Sequence, residues 1–317
     1  MIKNILWFIY ATDFVLRKKI GLYRRIVPYC KKKFLDNNVA SNELAEDIRS
    51  GKPVMAARYG LFEIAAMRMY EFEKKAKYPI VMGNIYNCAG FFPNDITLGY
   101  RFLEIMKKAS MQVDYLAASK QLCENYFINK YMKDVKVAEN FKIFDVCALD
   151  RSWTEALEGK KVLVISPFSK SVEKQYEKRE LLFPGTDILP KFELQTYQSL
   201  MTVGDLKDER FADWFEALDF MKNEILKKNF DVAILGCGAY GFPLAAEIKK
   251  AGKQAIHMGG AFQIFFGIMG KRWDGTRNGG PKHIREDIAK YYNEYWTYPI
   301  EEKPKEASKV EYGPYWE

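Results

Sequence analysis

The sequence predicts an α/β protein with a Rossmann-like, mostly parallel sheet that is flanked by helices and preceded by a helical, basic N-terminal segment. Short apolar runs of β type alternate with amphipathic helical patterns. The run KVLVI at 161–165 is continuously apolar, which is typical of a strand buried on both faces of a parallel sheet. The run FDVAILGCGAYG at 230–241 ends in a glycine-rich turn and continues into a helical pattern, as in phosphate-binding α/β folds.

Three segments follow from this pattern. Residues 1–50 form the basic N-terminal segment, residues 51–275 form the Rossmann-like domain, and residues 276–317 form a C-terminal helix with an exposed tail. At 317 residues and 48% hydrophobic composition, the chain can bury a large core. Five cysteines without a C-x-x-C pair and only two histidines argue against a disulfide framework, a zinc site or a His-rich metal centre.

The positive charge is concentrated at the N-terminus. Residues 1–50 hold ten Lys/Arg and five Asp/Glu, which is +5 of the net charge of +8. The apolar run at 2–16 precedes most of these basic residues and is too short and too interrupted to span a bilayer. Two interpretations of residues 1–33 are open: a helix packed on the core with a solvated basic face, or a segment that contacts an anionic membrane surface. The basic excess lies outside the predicted site and accompanies no nucleic-acid motif, so nucleic acid is not an expected partner.

The elements follow in order along the chain. The first half predicts helices over 41–48, 64–75, 96–108 and 122–131, and strands over 53–57, 78–82, 113–117 and 142–146. The second half predicts strands over 161–165, from 230 and over 253–258, and helices over 172–182, 213–228 and 284–295. Because carboxyl ends of parallel strands share one edge, the tips at 166–170, 236–241 and 257–260 should converge.

The glycine turn has the spacing G-x-G-x-x-G at Gly236, Gly238 and Gly241, with Tyr240 inside it. Its glycines allow close approach of a ligand, and the helix that follows directs unpaired N–H groups at an anion. A nucleotide or nucleotide-sugar phosphate is the predicted ligand, and a tight turn that binds nothing is the alternative.

The residues at the end of the next predicted strand help to distinguish NAD, NADP and a nucleotide-sugar as the ligand. It ends in Gly259 and Gly260 without the acidic residue that NAD requires. Lys271 and Arg272 would be needed for NADP, and they also are candidates for binding the diphosphate of a nucleotide-sugar.

A second motif, RYGLFE at 58–63, joins a predicted strand to a helix. Arg58 and Glu63 bracket a turn at Gly60, in the crevice position where open α/β sheets bind ligands. A surface ion pair is the alternative interpretation. Asp95, in a loop rich in Gly, Pro and Asn, is a candidate base or metal ligand, or else the cap of the following helix.

Two further strand tips carry polar groups. Ser166 and Lys170 precede a helix whose N-terminus is a predicted phosphate site, although nearby serines could simply cap that helix. His257 ends the strand at 253–258 and is a candidate ligand-binding residue, with a hydrogen-bonded structural histidine as the alternative.

These motifs together resemble a known enzyme family. RYGLFE resembles the R-[FIY]-G-x-x-E signature of glycosyltransferases of the GT-D fold, and LGCGAYGFPLAAEIKKAGKQAIHMGG resembles their C-terminal strand–turn–helix–strand. QYEKRELLFP, DWFEAL and GKRW look like a branch from bacterial polysaccharide gene clusters. The resemblance covers about residues 50–275. It implies a nucleotide-sugar donor, in the first place a UDP-sugar, and hexosyltransferase-like transfer to a glycan acceptor in cell-surface polysaccharide or glycan biosynthesis.

The resemblance also assigns roles to individual residues, and the sequence departs from the family at one position. Arg58 and Glu63 match the family's Arg and Glu, but Leu61 stands where described members carry Asp, so binding of Mn²⁺ or Mg²⁺ by Glu63 is an open question. Glu63 or Asp95 would orient the sugar or deprotonate the acceptor. The resemblance fits a cytoplasmic protein that contacts the inner membrane face. The alternatives are an NADP-linked oxidoreductase or epimerase and a non-catalytic sugar-binding scaffold.

Overall fold

The fold is a single sheet of eight strands, each parallel to its neighbours. The computed structural model describes residues 2–19, 32–204, 206, 208–276, 282–304 and 315–316. The strands are β1 (Lys33–Leu35), β2 (Met55–Ala57), β3 (Tyr115–Ala117), β4 (Lys136–Ala138), β5 (Lys161–Ser166), β6 (Glu193–Gln198), β7 (Val232–Leu235) and β8 (Gln254–His257). Their order across the sheet is β1-β4-β3-β2-β8-β7-β5-β6. The predicted α/β class is therefore confirmed.

Helices cover both faces of the sheet. They are α1 (Ile2–Lys19), α2 (Asn37–Ser50), α3 (Leu61–Glu71), α4 (Tyr78–Ala89), α5 (Gly99–Ser110), α6 (Glu124–Tyr131), α7 (Ser169–Tyr176), α8 (Arg179–Leu182), α9 (Trp214–Leu226), α10 (Gly241–Lys250), α11 (Phe262–Phe265) and α12 (Glu286–Ala289). Side chains alternate along each strand between the two faces. In β7, Ala233 and Leu235 join the core beneath α3 to α6, α9 and α10, whereas Val232 and Ile234 join the core beneath α2, α7 and α11.

The pairing of β2 with β8 joins the two halves of the chain. β2 also pairs with β3 from the first half, and β8 also pairs with β7 from the second. Gln254 at the start of β8 is buried, and its Nε2 lies 3.1, 3.2 and 2.9 Å from the carbonyl oxygens of Asp47, Ile48 and Lys52. Because a buried amide needs hydrogen-bond partners, these contacts specify how the end of α2 meets β8.

The predicted strand at 78–82 is wrong, since these residues begin helix α4. Pro79 lies in the first turn of α4, where its missing N–H has no cost, and Gly90 ends the helix in the left-handed conformation with φ +83°. A short apolar run has no period that separates a strand from a buried helix. Packing of α4 against α3 decides this case in favour of the helix.

The other differences concern short or polar elements. Residues 142–146 form 3₁₀ turns instead of the predicted strand, while β4 and β6 are strands without a prediction. β6 is an edge strand of sequence ELQTYQ, so it lacks the apolar run that marked β5. α2 begins after Asp36, which accepts a hydrogen bond from the Asn38 N–H, and Ser41, at which the predicted helix began, is buried inside the helix.

Both predicted terminal segments contribute to the packed structure. β1 lies within the predicted segment 1–50 and pairs with β4. The last described residues pack as well, because Trp316 is buried and its indole N–H donates to the Pro299 carbonyl at 2.9 Å. α12 is shorter than the predicted helix at 284–295. Within the described ranges, no helix combines the length and apolar character needed to cross a membrane.

A buried carboxylate at the end of α3 connects this helix to α5 and α6. Glu71 accepts hydrogen bonds from Tyr126 Oη at 2.5 Å and Lys130 Nζ at 3.0 Å, and Lys107 Nζ lies 2.7 Å away. Burial alone raises the pKa of Glu71, but the hydrogen bonds from Lys107, Tyr126 and Lys130 outweigh it and lower the pKa to about 2. Glu71 therefore stabilises the folded state in its ionised form.

We expect Glu71→Gln to destabilise the protein in a pH-dependent way. Since the folded pKa lies below the unfolded value, the contribution is present above pH 4.5 and is lost as the pH falls towards 2. At neutral pH the free energy of unfolding should drop by roughly 2 kcal/mol, because the half-exposed Lys130 is partly screened by solvent. Urea titrations across this pH range measure the difference.

The matched control is Glu104→Gln, because Glu104 pairs with the same Lys107 at 2.9 Å but is 60% exposed. Its effect should stay below about 0.5 kcal/mol. Equal losses in the two variants, or a Glu71→Gln loss that persists unchanged near pH 2, would contradict the role of the buried carboxylate.

Candidate functional site

A cleft of about 390 Å³ opens at the carboxyl ends of the four central strands β2, β8, β7 and β5. This volume is in the range of about 300–1,000 Å³ that is usual for small-molecule sites. The chain leaves β5 towards β6 on one side and leaves β7 towards β8 on the other, and such a switch point is where open α/β sheets bind ligands. Ten predicted site residues line the cleft: Arg58, Gly60, Glu63, Gly236, Gly238, Tyr240, His257, Gly259, Gly260 and Arg272.

Glu63 lies in the first turn of α3 and is buried against the backbone of Gly60. A Cβ atom at residue 60 would lie 1.8 Å from Glu63 Oε2, so the carboxylate occupies the space that a side chain at residue 60 would need. The backbone of Gly60 is itself ordinary, with φ −69°. The G-x-x-E spacing therefore reflects a steric requirement between a turn and the first turn of the helix that follows.

Arg58 follows β2 and enters the cleft beside the tip of β8. Its Cζ lies 4.0 Å from the centroid of the Phe141 ring, which orients the planar guanidinium. A Cβ at Gly259 would lie 3.5 Å from the same Cζ, so the guanidinium rests against this turn. Gly259 has φ +60°, a conformation that favours glycine.

Arg272 approaches the neighbouring glycine from the other side. A Cβ at Gly260 would lie 2.5 Å from Arg272 Nη1, and Nη2 donates to the Tyr315 hydroxyl at 3.3 Å. The guanidinium also lies 5.1 Å from the Tyr315 ring centroid. Two cationic groups thus rest on consecutive residues at the tip of β8, which gives the cleft the electrostatic character of an anion site.

His257 is buried and neutral. Gly241 makes room for its ring, since a Cβ there would lie 2.3 Å from His257 Nδ1. Burial, and secondly the positive charge of Arg58, lowers the pKa of His257 to about 3. Among the described residues, Nδ1 has no hydrogen-bond partner. A group that holds a proton this weakly is a poor general base at neutral pH.

The glycine turn is shaped by packing as well as by its strand-to-helix geometry. A Cβ at Gly236 would lie 2.0 Å from the Phe262 ring, and one at Gly238 would lie 2.6 Å from the Ala89 carbonyl oxygen. Gly238 also has φ +57°. The Tyr240 hydroxyl lies 2.9 Å from Thr202 Oγ1, so Tyr240 connects the turn to the loop that forms the opposite wall.

Asp95 does not line the cleft and instead caps a 3₁₀ turn. Its side chain accepts from the Thr97 N–H at 2.8 Å, and this hydrogen bond lowers the pKa of Asp95. The capping interpretation of Asp95 is confirmed. Gly241 lies behind His257, and Lys271 is not among the residues that line the cleft, whereas its neighbour Arg272 is.

The predicted phosphate site at the start of α7 is occupied by the chain itself. Ser166 is buried and its Oγ accepts from the Phe168 N–H, while Lys170 is exposed outside the cleft. The N–H and hydroxyl of Ser171 donate to the Glu302 carboxylate at 2.9 and 2.5 Å. An internal carboxylate therefore takes the place that a phosphate would need at this helix terminus.

Sequence reasoning missed the apolar walls of the cleft. These come from several separate segments of the chain: Phe62, Phe141, Phe168, Leu200, Met201, Val203, Phe262 and Tyr315. Phe62 lies within the RYGLFE motif and Phe168 within the predicted tip at 166–170, and the aromatic character of YGPYWE was a local signal for Tyr315. Phe141, Leu200, Met201 and Val203 had no such signal, because their distance along the chain hides their proximity to the cleft.

The residues present do not form a cage for a hard divalent cation. Glu63 is the one carboxylate among the described residues that line the cleft, and Leu61 contributes an apolar side chain. Within the described ranges, no three His, Cys, Asp or Glu side chains are grouped as metal ligands. An all-protein site for such a cation needs several oxygen ligands, whereas the cleft presents the two guanidinium groups of Arg58 and Arg272 beside Glu63.

Comparisons with known proteins leave the site to be interpreted from its own geometry. No family model and no curated protein matches the chain. A solved structure that resembles it is the selenomethionine-substituted domain of unknown function 1792 (DUF1792), with 13% sequence identity and a TM-score of 0.43. The match covers 88% of this chain and 98% of that one. At this level of similarity it says nothing about activity.

We expect the imidazole of His257 to stay neutral across the physiological range. Its NMR signals, assigned with His257→Gln, should not titrate between about pH 8 and pH 5, since the pKa is about 3. Arg58→Gln removes the positive charge that is the second cause of the lowered pKa of His257, so that pKa should rise. It should stay below the ordinary histidine value of 6.5, because the ring remains buried.

The lowered pKa of His257 also predicts that the folded protein loses stability in acid. The unfolded chain takes up the proton first, so the free energy of unfolding should fall as the pH drops from 6.5 towards about 3. A wild-type signal that titrates near pH 6.5, or one that Arg58→Gln leaves unmoved, would contradict this description of the cleft.

Proposed function

We propose that this protein is a glycosyltransferase that moves a sugar from a nucleotide-sugar donor, a UDP-sugar in the first place, to a glycan acceptor in cell-surface polysaccharide or glycan biosynthesis. The observation that carries the proposal is the joint placement of two guanidinium groups, one carboxylate and a glycine-rich turn in a single cleft at the carboxyl edge of a parallel sheet. The motif resemblance supports the same conclusion.

Arg58 and Arg272 would bind the diphosphate of the donor. A guanidinium matches two phosphate oxygens with parallel hydrogen bonds, and both groups are held in place by aromatic rings and by the glycines beneath them. As the bond between the sugar and the diphosphate breaks, negative charge builds on the leaving group. Fixed positive groups stabilise this charge more in the transition state than in the substrate, which is how they would accelerate transfer.

Glu63 would act on the acceptor. Its buried carboxylate is held on the Gly60 backbone at the start of α3, so it has little freedom to turn away. In the proposed reaction an acceptor hydroxyl attacks the anomeric carbon, its proton passes to Glu63, and the nucleoside diphosphate leaves. The apolar walls around Phe168 and Phe262 would take the nucleoside and exclude water.

The NADP-linked alternative draws no support from the cleft. NADP recognition called for Lys271 together with Arg272, and Lys271 lies outside the lining. The tip of β8 carries Gly259–Gly260 instead of the acidic residue that binds the ribose of NAD. Dinucleotide binding and the non-catalytic scaffold therefore become outcomes of the binding experiment.

We expect thermal-shift and calorimetric titrations to show binding of one class among UDP-, GDP-, CMP- and dTDP-sugars, unchanged by removal of Mn²⁺. Arg58→Gln and Arg272→Gln should each weaken donor binding by about tenfold to a hundredfold, because each loses a charge-assisted hydrogen bond. Lys271→Gln is the matched control and should bind as the wild type. Binding of NAD or NADP alone would favour the oxidoreductase, and binding without transfer would favour the scaffold.

We expect Gly60→Ala to impair catalysis by displacing Glu63 without changing its charge. The new methyl group occupies the place of Glu63 Oε2, and a misplacement of about 1 Å is enough to slow a reaction by roughly a hundredfold. Release of nucleoside diphosphate measures the rate, with Glu63→Gln for comparison. Gly83→Ala in α4 is the control, because its Cβ would lie 3.9 Å from the nearest atom. Full activity of Gly60→Ala would remove Glu63 from the mechanism.

A further inference from the structure

Helix α1 has two apolar faces, and one of them packs on the protein. Leu6, Trp7 and Tyr10 contact the core beneath α3 and α6. The Trp7 ring centroid lies 5.5 Å from that of Phe72, and the Tyr10 centroid lies 5.6 Å from that of Tyr126. These contacts fix the rotation of α1 about its axis, so the opposite face must point outward.

That opposite face is a stripe of exposed apolar residues, which we name the outer stripe. Its members are between 47% and 73% exposed: Ile2, Ile5, Phe8, Ile9, Val15 and Leu16. Ile2, Ile5, Phe8 and Ile9 recur at three- and four-residue spacing, and Val15 and Leu16 continue the same face beyond the exposed Thr12, along a helix that is about 27 Å long. An exposed apolar face of this kind marks an interaction surface.

The net charge of the chain lies in the same segment. Residues 1–33 contain nine Lys/Arg and one Asp, so their net charge of +8 equals that of the whole protein. The other 284 residues contain forty Lys/Arg and forty Asp/Glu. The outer stripe is followed directly by Arg17, Lys18 and Lys19, and residues 20–31, which lie outside the described residues, add Arg24, Arg25 and Lys31 to the sequence.

We propose that α1 lies in the interface of an anionic lipid bilayer, with the outer stripe among the upper acyl chains and the net positive charge of residues 1–33 attracting the segment to the anionic headgroups. This combination of apolar face and clustered positive charge is what binds amphipathic helices to such surfaces. A second copy of the chain is a poor occupant, because pairing two outer stripes would bring two segments of charge +8 together. A bilayer instead offers opposite charge and apolar depth at once.

Membrane contact through α1 would leave the cleft free. Trp7 packs on Phe72, which directly follows the last residue of α3, whereas Glu63 lies in the first turn of the same helix. An eleven-residue helix is about 16 Å long, so the two sites are separated by its length. The proposal therefore concerns where the protein acts and is independent of what the cleft binds.

Vesicle flotation with the full chain tests this proposal. We expect binding to phosphatidylcholine vesicles that contain about one third phosphatidylglycerol, and none to pure phosphatidylcholine. Raising the salt from about 0.1 M to about 1 M shortens the screening length from about 10 Å to about 3 Å and should release the protein. Equal binding to both vesicle types, or no binding to either, would overturn the proposal.

Two variants separate the apolar and the electrostatic contributions. The triple change Ile5→Ser, Phe8→Ser and Ile9→Ser should weaken binding by about tenfold or more. The change Arg17→Gln, Lys18→Gln and Lys19→Gln should weaken it by about a hundredfold. The matched control changes Ile80, Met111 and Ile300 to Ser, since these are 56%, 57% and 66% exposed elsewhere on the surface, and it should bind as the wild type.

Thermal unfolding of each variant shows whether the fold is intact, which the exposure of Ile5, Phe8 and Ile9 leads us to expect for the outer-stripe variant. Equal loss of binding in the control would mean that the outer stripe has no special role. A concentration-dependent dimer that the outer-stripe variant abolishes would assign the surface to self-association, and would likewise overturn the membrane proposal.

Discussion

The parallel pairing of β2 with β8 is the contact on which the architecture depends. It is the seam between a first half that holds β1 to β4 and a second half that holds β5 to β8. Both strands run in the same direction, so the RYGLFE turn after β2 and the Gly259–Gly260 turn after β8 emerge side by side. Gln254 ties this seam to the end of α2 through three carbonyl groups. Without the seam, Arg58 and Arg272 would belong to two unrelated edges.

Glycine at the strand tips then determines which polar groups the cleft can hold. Gly60, Gly241 and Gly260 each leave a space that a polar side chain fills, so the carboxylate of Glu63, the ring of His257 and the guanidinium of Arg272 lie directly on backbone. Among the described residues, the resulting cleft carries the two cationic side chains of Arg58 and Arg272 against the single carboxylate of Glu63.

The fold was largely predictable because its signals are local. Continuous apolar runs marked β5 and β7, and an amphipathic pattern marked α9. Where the signal was short, the prediction failed. The apolar run at 78–82 fits a strand or a buried helix equally well, and its packing on α3 made it a helix. β4 has three residues and β6 is a polar edge strand, so neither has an apolar pattern long enough to predict it. Each is recognisable as a strand because it pairs with a neighbouring strand.

The candidate site likewise has residues that local sequence predicts and residues that only the folded structure brings in. Residue types and spacing alone were enough to single out Arg58, Glu63 and the glycine turn, because a strand, a turn and a helix that follow one another have a fixed local geometry. The folded chain was needed to show that Arg272 enters the cleft while Lys271 does not, that Asp95 is a cap, and that a carboxylate from the end of the chain occupies the start of α7. These outcomes depend on contacts between residues far apart in sequence. The spacing of residues along a short segment does not indicate which distant side chain will pack against it.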